Sequence, residues 1–298
     1  MAAALQGAVL GHPIRHSQSP AMHRRAYAEL GLDYSYGAVD LDVADLAPFL
    51  QRVRADGNWY GLSVTMPLKN RAAELVDALT PAARSLGSVN TVVVTRTDDA
   101  GTHLLGDNTD VAGIVNALRH AGAPRQPRAA VLGGGGTAVS AVAALADLGA
   151  AAVDIYVRHP GKSAGTLELA RRLGLSASLV PFTAAAGALA GYGVVISTLP
   201  PHAPDALAAD LAATAPDTSG RCLLDVAYDP WPSALAAVWE RHGGTVVPGI
   251  EMLLYQGVEQ VRLFAEAGGF RERADEHAGA VLNVMCDALG LPRRPPHE

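Results

Sequence analysis

The two lysines of the chain are the first candidates for proton chemistry. The sequence contains 21 arginines but only two lysines, Lys69 and Lys162. An arginine side chain keeps its proton in a protein, whereas a lysine amine can release one and recover it. A lysine that persists in so arginine-rich a sequence is therefore a candidate for a role that arginine cannot fill, although chance could also have retained two lysines.

Lys69 occupies an unusual place for an ordinary surface cation. The segment 63–69, Ser-Val-Thr-Met-Pro-Leu-Lys, runs from a predicted strand into a helix predicted to begin at Pro67, which puts Lys69 in the first helical turn. The helix dipole disfavours a positive charge there. The segment 107–110, Asp-Asn-Thr-Asp, supplies carboxylates at the next predicted helix start, so Lys69 and Asp110 form a candidate acid–base pair. Taken alone, Asp110 would be an ordinary helix-starting aspartate.

Two serines precede a predicted amphipathic helix from Pro20 to Leu30. Ser19 is the expected N-cap of this helix, with Pro20 at its first position. Hydroxyl groups beside the free N–H groups of a helix start can also bind a carboxylate. Ser17 and Ser19 are therefore either capping residues or part of an anion site.

A glycine-rich turn predicts a dinucleotide site. Gly133, Gly135 and Ala138 fit the pattern Gly-x-Gly-x-x-Gly/Ala, between a fully apolar strand and an apolar helix that starts near Thr137. In that context the backbone N–H groups at the helix start can hold a pyrophosphate. No Gly-Lys-Ser/Thr follows, which excludes a P-loop. The residues assigned to this turn are Gly133, Gly134, Gly135, Gly136 and Thr137.

The end of the following strand favours NADP over NAD. NAD-binding proteins carry an Asp or Glu about 20 residues after the glycines, where it binds the ribose 2′-hydroxyl. Here the segment 157–162 reads Val-Arg-His-Pro-Gly-Lys, so Arg158 and Lys162 stand where a carboxylate would be and could bind a 2′-phosphate. The alternative is a solvated basic loop.

These segments lie at the junctions of predicted strands and helices. Residues 1–110 alternate short apolar runs with helical patterns at 20–30, about 44–55 and from 67, which predicts an α/β layer. Residues 90–108 predict a β-hairpin turning at 98–101, followed by a helix at about 110–121. Beyond the Gly/Pro segment 122–127, strands alternate with helices, which predicts a parallel sheet. Two helices are expected at about 252–267 and 271–289.

Length and composition exclude several classes of protein. The 298 residues suggest two compact domains, and 49% hydrophobic with 17% charged residues excludes a disordered chain. The net charge of −6 makes nucleic acid an improbable partner. We find no membrane-spanning stretch, signal peptide, helical pair of metal-binding histidines or disulfide framework, so a cytoplasmic chain without a metal site is expected.

Taken together, the ordered segments resemble the shikimate dehydrogenase family from residue 7 to about residue 260. The resemblance is carried by GHPIRHSQSPAMH, SVTMPLK, GSVNT, GDNTD, GGGGTA, VRHPGK and GIEMLLYQ, in the family's order. It implies the NADPH-dependent, reversible reduction of 3-dehydroshikimate to shikimate in aromatic amino-acid biosynthesis. The implied α/β fold has a substrate domain at 1–110, completed by C-terminal helices at 249–298, and a Rossmann-like NADP-binding domain with a parallel sheet at 111–248.

The same resemblance implies roles for individual residues. Lys69 and Asp110 are the expected catalytic pair. The expected substrate-binding residues are Ser17, Ser19, Ser63, Thr65, Lys69, Asn90, Asp110, Tyr228 and Gln256. The expected cofactor-binding residues, beside the glycine turn, are Arg158, Lys162, Thr198, Val226, Gly249 and Met252.

Three positions depart from the family pattern. Ser63 stands where many members have Asn, so its hydrogen bond to substrate would be shorter or mediated by water. Val157 replaces the usual Asn of an Asn-Arg-Thr segment, and the segment 197–201, Ser-Thr-Leu-Pro-Pro, replaces a more polar strand end.

Other functions remain open from the sequence. A relative acting on quinate or on an aminated analogue of the substrate would use the same carboxylate and hydroxyl contacts. A non-catalytic NADP sensor would lack the catalytic pair, so the presence of Lys69 and Asp110 favours an enzyme. A small-molecule substrate and no membrane partner are expected, and monomer and homodimer are equally open.

Overall fold

A computed structural model describes residues 5–97 and 101–295. Its fold is α/β with two compact units, Met1–Thr109 with Gln256–Glu298, and Asp110–Tyr255. The predicted fold class is confirmed. The chain returns to the first unit at Gln256 rather than at 249, because Met252 and Tyr255 pack into the hydrophobic core of the second unit.

The elements of the described residues follow in chain order. Those before residue 110 are β1 (Leu5–Gly11), α1 (Ser19–Glu29), β2 (Tyr34–Asp40), α2 (Val43–Asp56), β3 (Trp59–Val64), α3 (Lys69–Leu75), β4 (Ala78–Leu79), α4 (Pro81–Leu86), β5 (Thr91–Thr97) and β6 (Gly101–Asp107). Those after it are α5 (Asp110–His120), β7 (Ala129–Leu132), α6 (Gly136–Asp147), β8 (Ala152–Val157), α7 (Ala164–Arg172), β9 (Ser176–Pro181), β10 (Val194–Ser197), α8 (Asp205–Thr214), β11 (Cys222–Asp225), α9 (Ala234–Arg241), β12 (Thr245–Pro248), α10 (Gly249–Ala267), α11 (Arg271–Glu276) and α12 (Ala278–Leu289).

The first unit is built on a mixed sheet in the order β2-β1-β3-β5-β6-β4. Strand β1 pairs parallel with β2 and β3, whereas β5 pairs antiparallel with β3 and β6. The β5–β6 pair confirms the predicted hairpin, although residues 98–100 of its turn lie outside the described residues. Alternate residues of each strand face opposite sides, so Leu10 and Leu62 pack against Leu46 and Leu50 of α2.

The second unit is a doubly wound parallel sheet in the order β12-β11-β10-β7-β8-β9. The chain enters the centre of the sheet at β7 and winds outward in both directions. Ala129 and Val131 of β7 pack in one core with residues of α5 and α6, and Ala130 and Leu132 pack in another with residues of α8 and α9. Ligands bind such sheets beyond the carboxyl ends of the strands, at the point where the winding direction changes. In this unit that point lies between β7 and β10.

Three local predictions were wrong. The N-cap of α1 is Gln18, not Ser19, because Gln18 already has helical backbone angles and its carbonyl accepts a hydrogen bond from the N–H of Met22. Helix α3 begins at Lys69 rather than Pro67, after a turn in which the N–H of Leu68 donates to the carbonyl of Thr65. The C-terminal segment after α10 forms two short helices instead of one, with the break at His277.

No helix in residues 5–97 or 101–295 combines the length and apolarity that crossing a membrane requires.

Candidate active site

The carboxyl ends of β1 and β3 bring two sequence segments to the same edge of the first sheet. The N–H of His12, which follows β1, donates to the carbonyl of Met66 at 3.1 Å. The N–H of Thr65, which follows β3, donates to the carbonyl of Leu10 at 2.9 Å. The predicted substrate residue Thr65 therefore lies beside the start of the loop that carries Ser17 and Ser19.

Asp40 at the end of β2 holds the first residues of this loop. Its carboxylate lies 2.6 Å from Nδ1 of His12 and accepts a bond from the N–H of Ile14 at 3.4 Å. The hydrogen bond and the charge of Asp40 raise the pKa of His12, and the same hydrogen bond lowers the pKa of Asp40. At neutral pH the loop is thus tied to β2 at two points.

Ser17 and Ser19 lie where this loop enters α1. Ser17 is half-buried and Ser19 is buried. The N–H of Ser19 donates to Oγ of Ser17 at 3.4 Å, so the Ser17 hydroxyl rather than that of Ser19 faces an N–H group of the helix start. Both hydroxyls keep a proton that can be donated to an anion.

Lys69 is the first residue of α3 and is half-buried. Its backbone carbonyl accepts a hydrogen bond from the N–H of Val89 at 3.0 Å. Val89 directly precedes Asn90, so the start of α3 is held next to the polar residues before β5.

Asn90 is the centre of a buried set of hydrogen bonds. Its Oδ1 accepts from the N–H of Thr109 and from Oγ1 of Thr91, both at 2.8 Å. Its Nδ2 donates to Oγ1 of Thr109 at 3.0 Å and to Oε1 of Gln256 at 3.3 Å. The predicted substrate residues Asn90 and Gln256 are therefore in direct contact.

Ser63, a predicted substrate residue, forms hydrogen bonds within the protein. It is buried, its Oγ donates to Oε1 of Gln260 at 2.7 Å, and it accepts from the hydroxyl of Tyr36 at 2.5 Å. A serine has one proton to donate, and Ser63 donates it within the protein. A direct hydrogen bond from Ser63 to a substrate would require this bond to break.

Thr91, Thr109 and Gln260 also belong to this set, although the sequence did not predict them. Gln260 lies four residues after Gln256, so the two amides share one face of α10. In the sequence, the signals that could have identified these residues were this four-residue spacing and the adjacency of Thr91 to Asn90.

Asp110 begins α5 and is buried, with a relative exposure of 3%. It belongs to the second unit, whereas Lys69 belongs to the first. Along the chain it directly follows Thr109, which is bonded to Asn90.

The glycine turn fits a pyrophosphate. Gly133 has φ of +108°, and a Cβ there would lie 2.6 Å from Oγ1 of Thr198, while a Cβ on Gly134 would clash with Oγ of Ser163. A Cβ on Gly135, by contrast, would meet no atom within 4 Å. Within the described part of the chain, no side chain caps the start of α6, where Gly135 is the N-cap. Protein atoms therefore fill the space beside Gly133 and Gly134. The space beside Gly135, where the N–H groups of the helix start are available, is open.

Arg158 and Lys162 are exposed at the end of β8 and in the 3₁₀ turn Pro160–Ser163. Neither forms an ion pair with an acidic side chain of residues 5–97 or 101–295. Their charges are thus available to a phosphate.

The loop after β11 carries the next group of predicted residues. Asp225, whose pKa is raised by burial, accepts from Oγ of Ser233 at 2.6 Å and from the N–H of Ala227 at 3.4 Å. These bonds fix the backbone next to Val226 and Tyr228. Tyr228 is half-buried, and its pKa is raised mainly by burial.

Gly249 and Met252 lie in the first turn of α10. A Cβ on Gly249 would clash with the backbone carbonyl of Val226, so only glycine fits there. Met252 is 7% exposed and belongs to the core of the second unit. Its side chain therefore has a structural role in addition to the predicted cofactor contact.

Among the residues that the structure describes, no group of three His, Cys, Asp or Glu side chains could hold a metal ion.

Comparison with known proteins identifies the family. Residues 9–92 match the profile of the shikimate dehydrogenase substrate binding domain. A protein of Rubrobacter xylanophilus named shikimate dehydrogenase (NADP(+)) is 39% identical over 258 residues, which are 85% of this chain and 88% of the relative.

Solved structures agree with this match. The crystal structure of Mycobacterium tuberculosis shikimate dehydrogenase is 38% identical and superposes with a TM-score of 0.75, covering 93% of this chain and 99% of the other. That of the Thermus thermophilus shikimate 5-dehydrogenase, in complex with NADP(H) and shikimate, is 31% identical with a TM-score of 0.73, covering 91% and 99%. The chain therefore belongs to the NADP-dependent shikimate dehydrogenase family, oxidoreductases that act on a CH–OH group of shikimate.

Proposed function

We propose that Lys69 and Asp110 are the catalytic pair with which this chain performs its family's reaction, the reversible NADPH-dependent reduction of 3-dehydroshikimate to shikimate. The observation that supports this assignment best is the placement of Lys69. Its backbone is bonded to Val89, directly before the buried amide of Asn90, so a half-buried lysine begins its helix close in space to fixed polar groups suited to a ring with several hydroxyls.

Reduction of a ketone requires a hydride and a proton. NADPH, when bound, supplies the hydride. The Lys69 ammonium donates a hydrogen bond and then its proton to the ketone oxygen as negative charge develops there. In the reverse direction the neutral amine accepts the proton of the shikimate hydroxyl. In this proposal the Asp110 carboxylate orients the ammonium.

The substrate carboxylate is assigned to the start of α1. The hydroxyls of Ser17 and Ser19 can each donate one hydrogen bond to it, and the hydroxyl of Tyr228 provides a third donor. Thr65, Asn90 and Gln256 bind the ring hydroxyls. The contact between Asn90 and Gln256 supports this division, because two amides in contact can bind neighbouring hydroxyls.

The cofactor is assigned to the carboxyl end of the second sheet. The turn from Gly133 to Thr137 holds the pyrophosphate against the start of α6, and Arg158 with Lys162 binds the 2′-phosphate. Val226, Gly249 and Met252 are assigned to the nicotinamide side, and Thr198 is a further cofactor-binding residue.

An assay of the purified protein tests the proposal. We expect NADP reduction with shikimate, a lower kcat/KM with quinate as substrate, and a lower kcat/KM with NAD as cofactor. Turnover of quinate in preference to shikimate would contradict the substrate assignment. Binding of NADP without turnover of either substrate would indicate a sensor. We further propose a cytoplasmic enzyme that is a monomer or a homodimer, two states that sedimentation distinguishes.

A further inference from the structure

The amide of Gln260 lies beneath the substrate-binding residues of the first unit and is 1% exposed. Its Oε1 accepts from Oγ of Ser63 at 2.7 Å and faces Nε2 of His23 at 3.2 Å. Its Nε2 donates to the backbone carbonyl of Asn90 at 3.1 Å and to Oγ1 of Thr91 at 3.0 Å. All four hydrogen-bonding positions of the amide are therefore used.

Backbone groups fix the orientation of two amides in this network. The carbonyl of Asn90 can only accept, so the atom of Gln260 that faces it must be the nitrogen. The N–H of Thr109 can only donate, so the atom of the Asn90 side chain that faces it must be the oxygen. Neither amide can be rotated by 180° without leaving buried groups without a hydrogen-bond partner, which is unfavourable.

Thr91 connects the two amides. Because its Oγ1 accepts from Nε2 of Gln260, its own proton is directed to Oδ1 of Asn90 at 2.8 Å. The Nδ2 group of Asn90 then donates to Oε1 of Gln256. The hydrogen bonds are therefore donated in one direction, from Gln260 to Thr91, from Thr91 to Asn90 and from Asn90 to Oε1 of Gln256.

His23 supports Gln260 from the opposite side. Oε1 of Gln260 can only accept, so Nε2 of His23 carries the proton, and Nδ1 accepts from the hydroxyl of Tyr27 at 3.0 Å. The imidazole stacks on Tyr36 at 4.1 Å between ring centroids. The hydroxyl of Tyr36 in turn donates to Ser63, which closes the arrangement.

We propose that Gln260 is a positioning residue for the substrate site, which acts through Thr91 and, together with the N–H of Thr109, holds the amides of Asn90 and Gln256 in place. The proposal rests on the proposed function, since it takes Asn90 and Gln256 as substrate-binding residues. It also accounts for the buried Ser63, whose short side chain leaves room for Gln260 and donates a hydrogen bond to it.

The test compares Thr91→Val with Thr91→Ser and adds Gln260→Leu. Valine keeps the shape of Thr91 without the hydroxyl, whereas serine keeps the hydroxyl. We expect Thr91→Val and Gln260→Leu each to raise the KM and the Kd for shikimate about 10-fold, the effect of one lost hydrogen bond in the site. Thr91→Ser should stay within about 2-fold of the parent, and the Kd for NADP should not change in any variant.

The double variant Thr91→Val with Gln260→Leu tests whether the two residues act in one path. We expect it to raise the KM no more than the larger single change, because both changes break the same connection. If the KM of the double variant rises by the product of the two single effects, the two residues act independently and the proposal is overturned. Lower melting temperatures with an unchanged KM for shikimate would also overturn it.

If Gln260→Leu does not fold, the matched Thr91 pair still answers the question. A parent enzyme that turns over shikimate while Thr91→Val keeps the parental KM overturns only the positioning role. A parent that does not turn over shikimate overturns the proposed function and, with it, the role of Gln260.

Discussion

Lys69 and Arg158 carry the same charge at neutral pH, yet their proposed roles cannot be exchanged. An ammonium group can transfer a proton to a developing alkoxide, whereas a guanidinium group presents a planar set of donors that matches a phosphate. Lys69 is half-buried beside polar groups, and Arg158 is exposed at the end of a strand. The environment of each residue therefore agrees with the chemistry of its side chain.

Removal of the Lys69 amine should reduce catalysis more than binding. We expect Lys69→Ala to lower kcat at least about 10²-fold with a much smaller change in KM, because a proton donor acts mainly on the transition state. Lys69→Arg should lower kcat nearly as much, because arginine does not exchange its proton. Steady-state kinetics measure both, with Arg71→Ala as a control on the exposed side of the same helix. Near-parental turnover of Lys69→Ala would remove Lys69 from the mechanism.

Removal of the Arg158 guanidinium should change cofactor preference. We expect the parent to prefer NADP over NAD by about 10²-fold or more, since the charge-assisted contacts of Arg158 and Lys162 contribute about 1.5–3 kcal/mol each. Arg158→Ala should lower kcat/KM with NADP by a much larger factor than with NAD. Arg171→Ala, an exposed arginine on α7, serves as the control. Parallel losses with both cofactors would contradict the phosphate contact.

At the scale of elements, the glycine turn between β7 and α6 has two unlike sides. Gly134 lies against Ser163, whereas the position of a Cβ on Gly135 is open. A side chain at position 134 must therefore disturb the protein at Ser163. A side chain at position 135 can affect only a ligand that enters the open side of the turn.

The matched variants Gly134→Ala and Gly135→Ala separate these effects. We expect Gly134→Ala to lower the melting temperature, because its methyl group overlaps Oγ of Ser163. Gly135→Ala should keep the parental melting temperature but weaken NADP binding about 10-fold or more, a loss of roughly 1.4 kcal/mol. Gly187→Ala, another open position of the second unit, is the control for calorimetry and NADP titration. Unchanged NADP affinity in Gly135→Ala would exclude the turn as the pyrophosphate site.

The sequence was sufficient to predict the fold class, the β5–β6 hairpin and the parallel sheet, because apolar periodicity and glycine placement report local structure directly. It was not sufficient for the start of α1 or the break at His277, where one residue's backbone angles decide the boundary. Gln260 was missed because the role of a buried polar residue depends on its partners, and its partner Thr91 lies 169 positions away.

At the scale of the whole molecule, His23 makes the free energy of unfolding depend on pH. The side chain is fully buried among Tyr27, Tyr36 and Phe264, with Gln260 as its hydrogen-bond partner, and burial lowers its pKa to about 3. The unfolded chain would take up a proton on histidine near pH 6.5. Between these values the unfolded state binds more protons than the folded state, so acid favours unfolding.

The free energy of unfolding should therefore fall as the pH decreases from about 6.5 towards 3, with a contribution from His23 of up to about 1.4 kcal/mol per pH unit. Above pH 6.5 the contribution is constant. Urea unfolding at a series of pH values measures the slope. We expect His23→Gln, whatever its stability at pH 7, to show a shallower slope in this range. Equal slopes in both proteins would mean that His23 is protonated in the folded state.

The two lysines are divided between the compact units, with the half-buried Lys69 in the first and the exposed Lys162 in the second. An amine-reactive dye or crosslinker therefore finds one lysine side chain on each unit, and the exposed Lys162 reacts faster than the half-buried Lys69. Pairing a fluorescent donor at one amine with an acceptor at the other would turn any change in the separation of the units into an optical signal, with no cysteine introduced and no residue replaced.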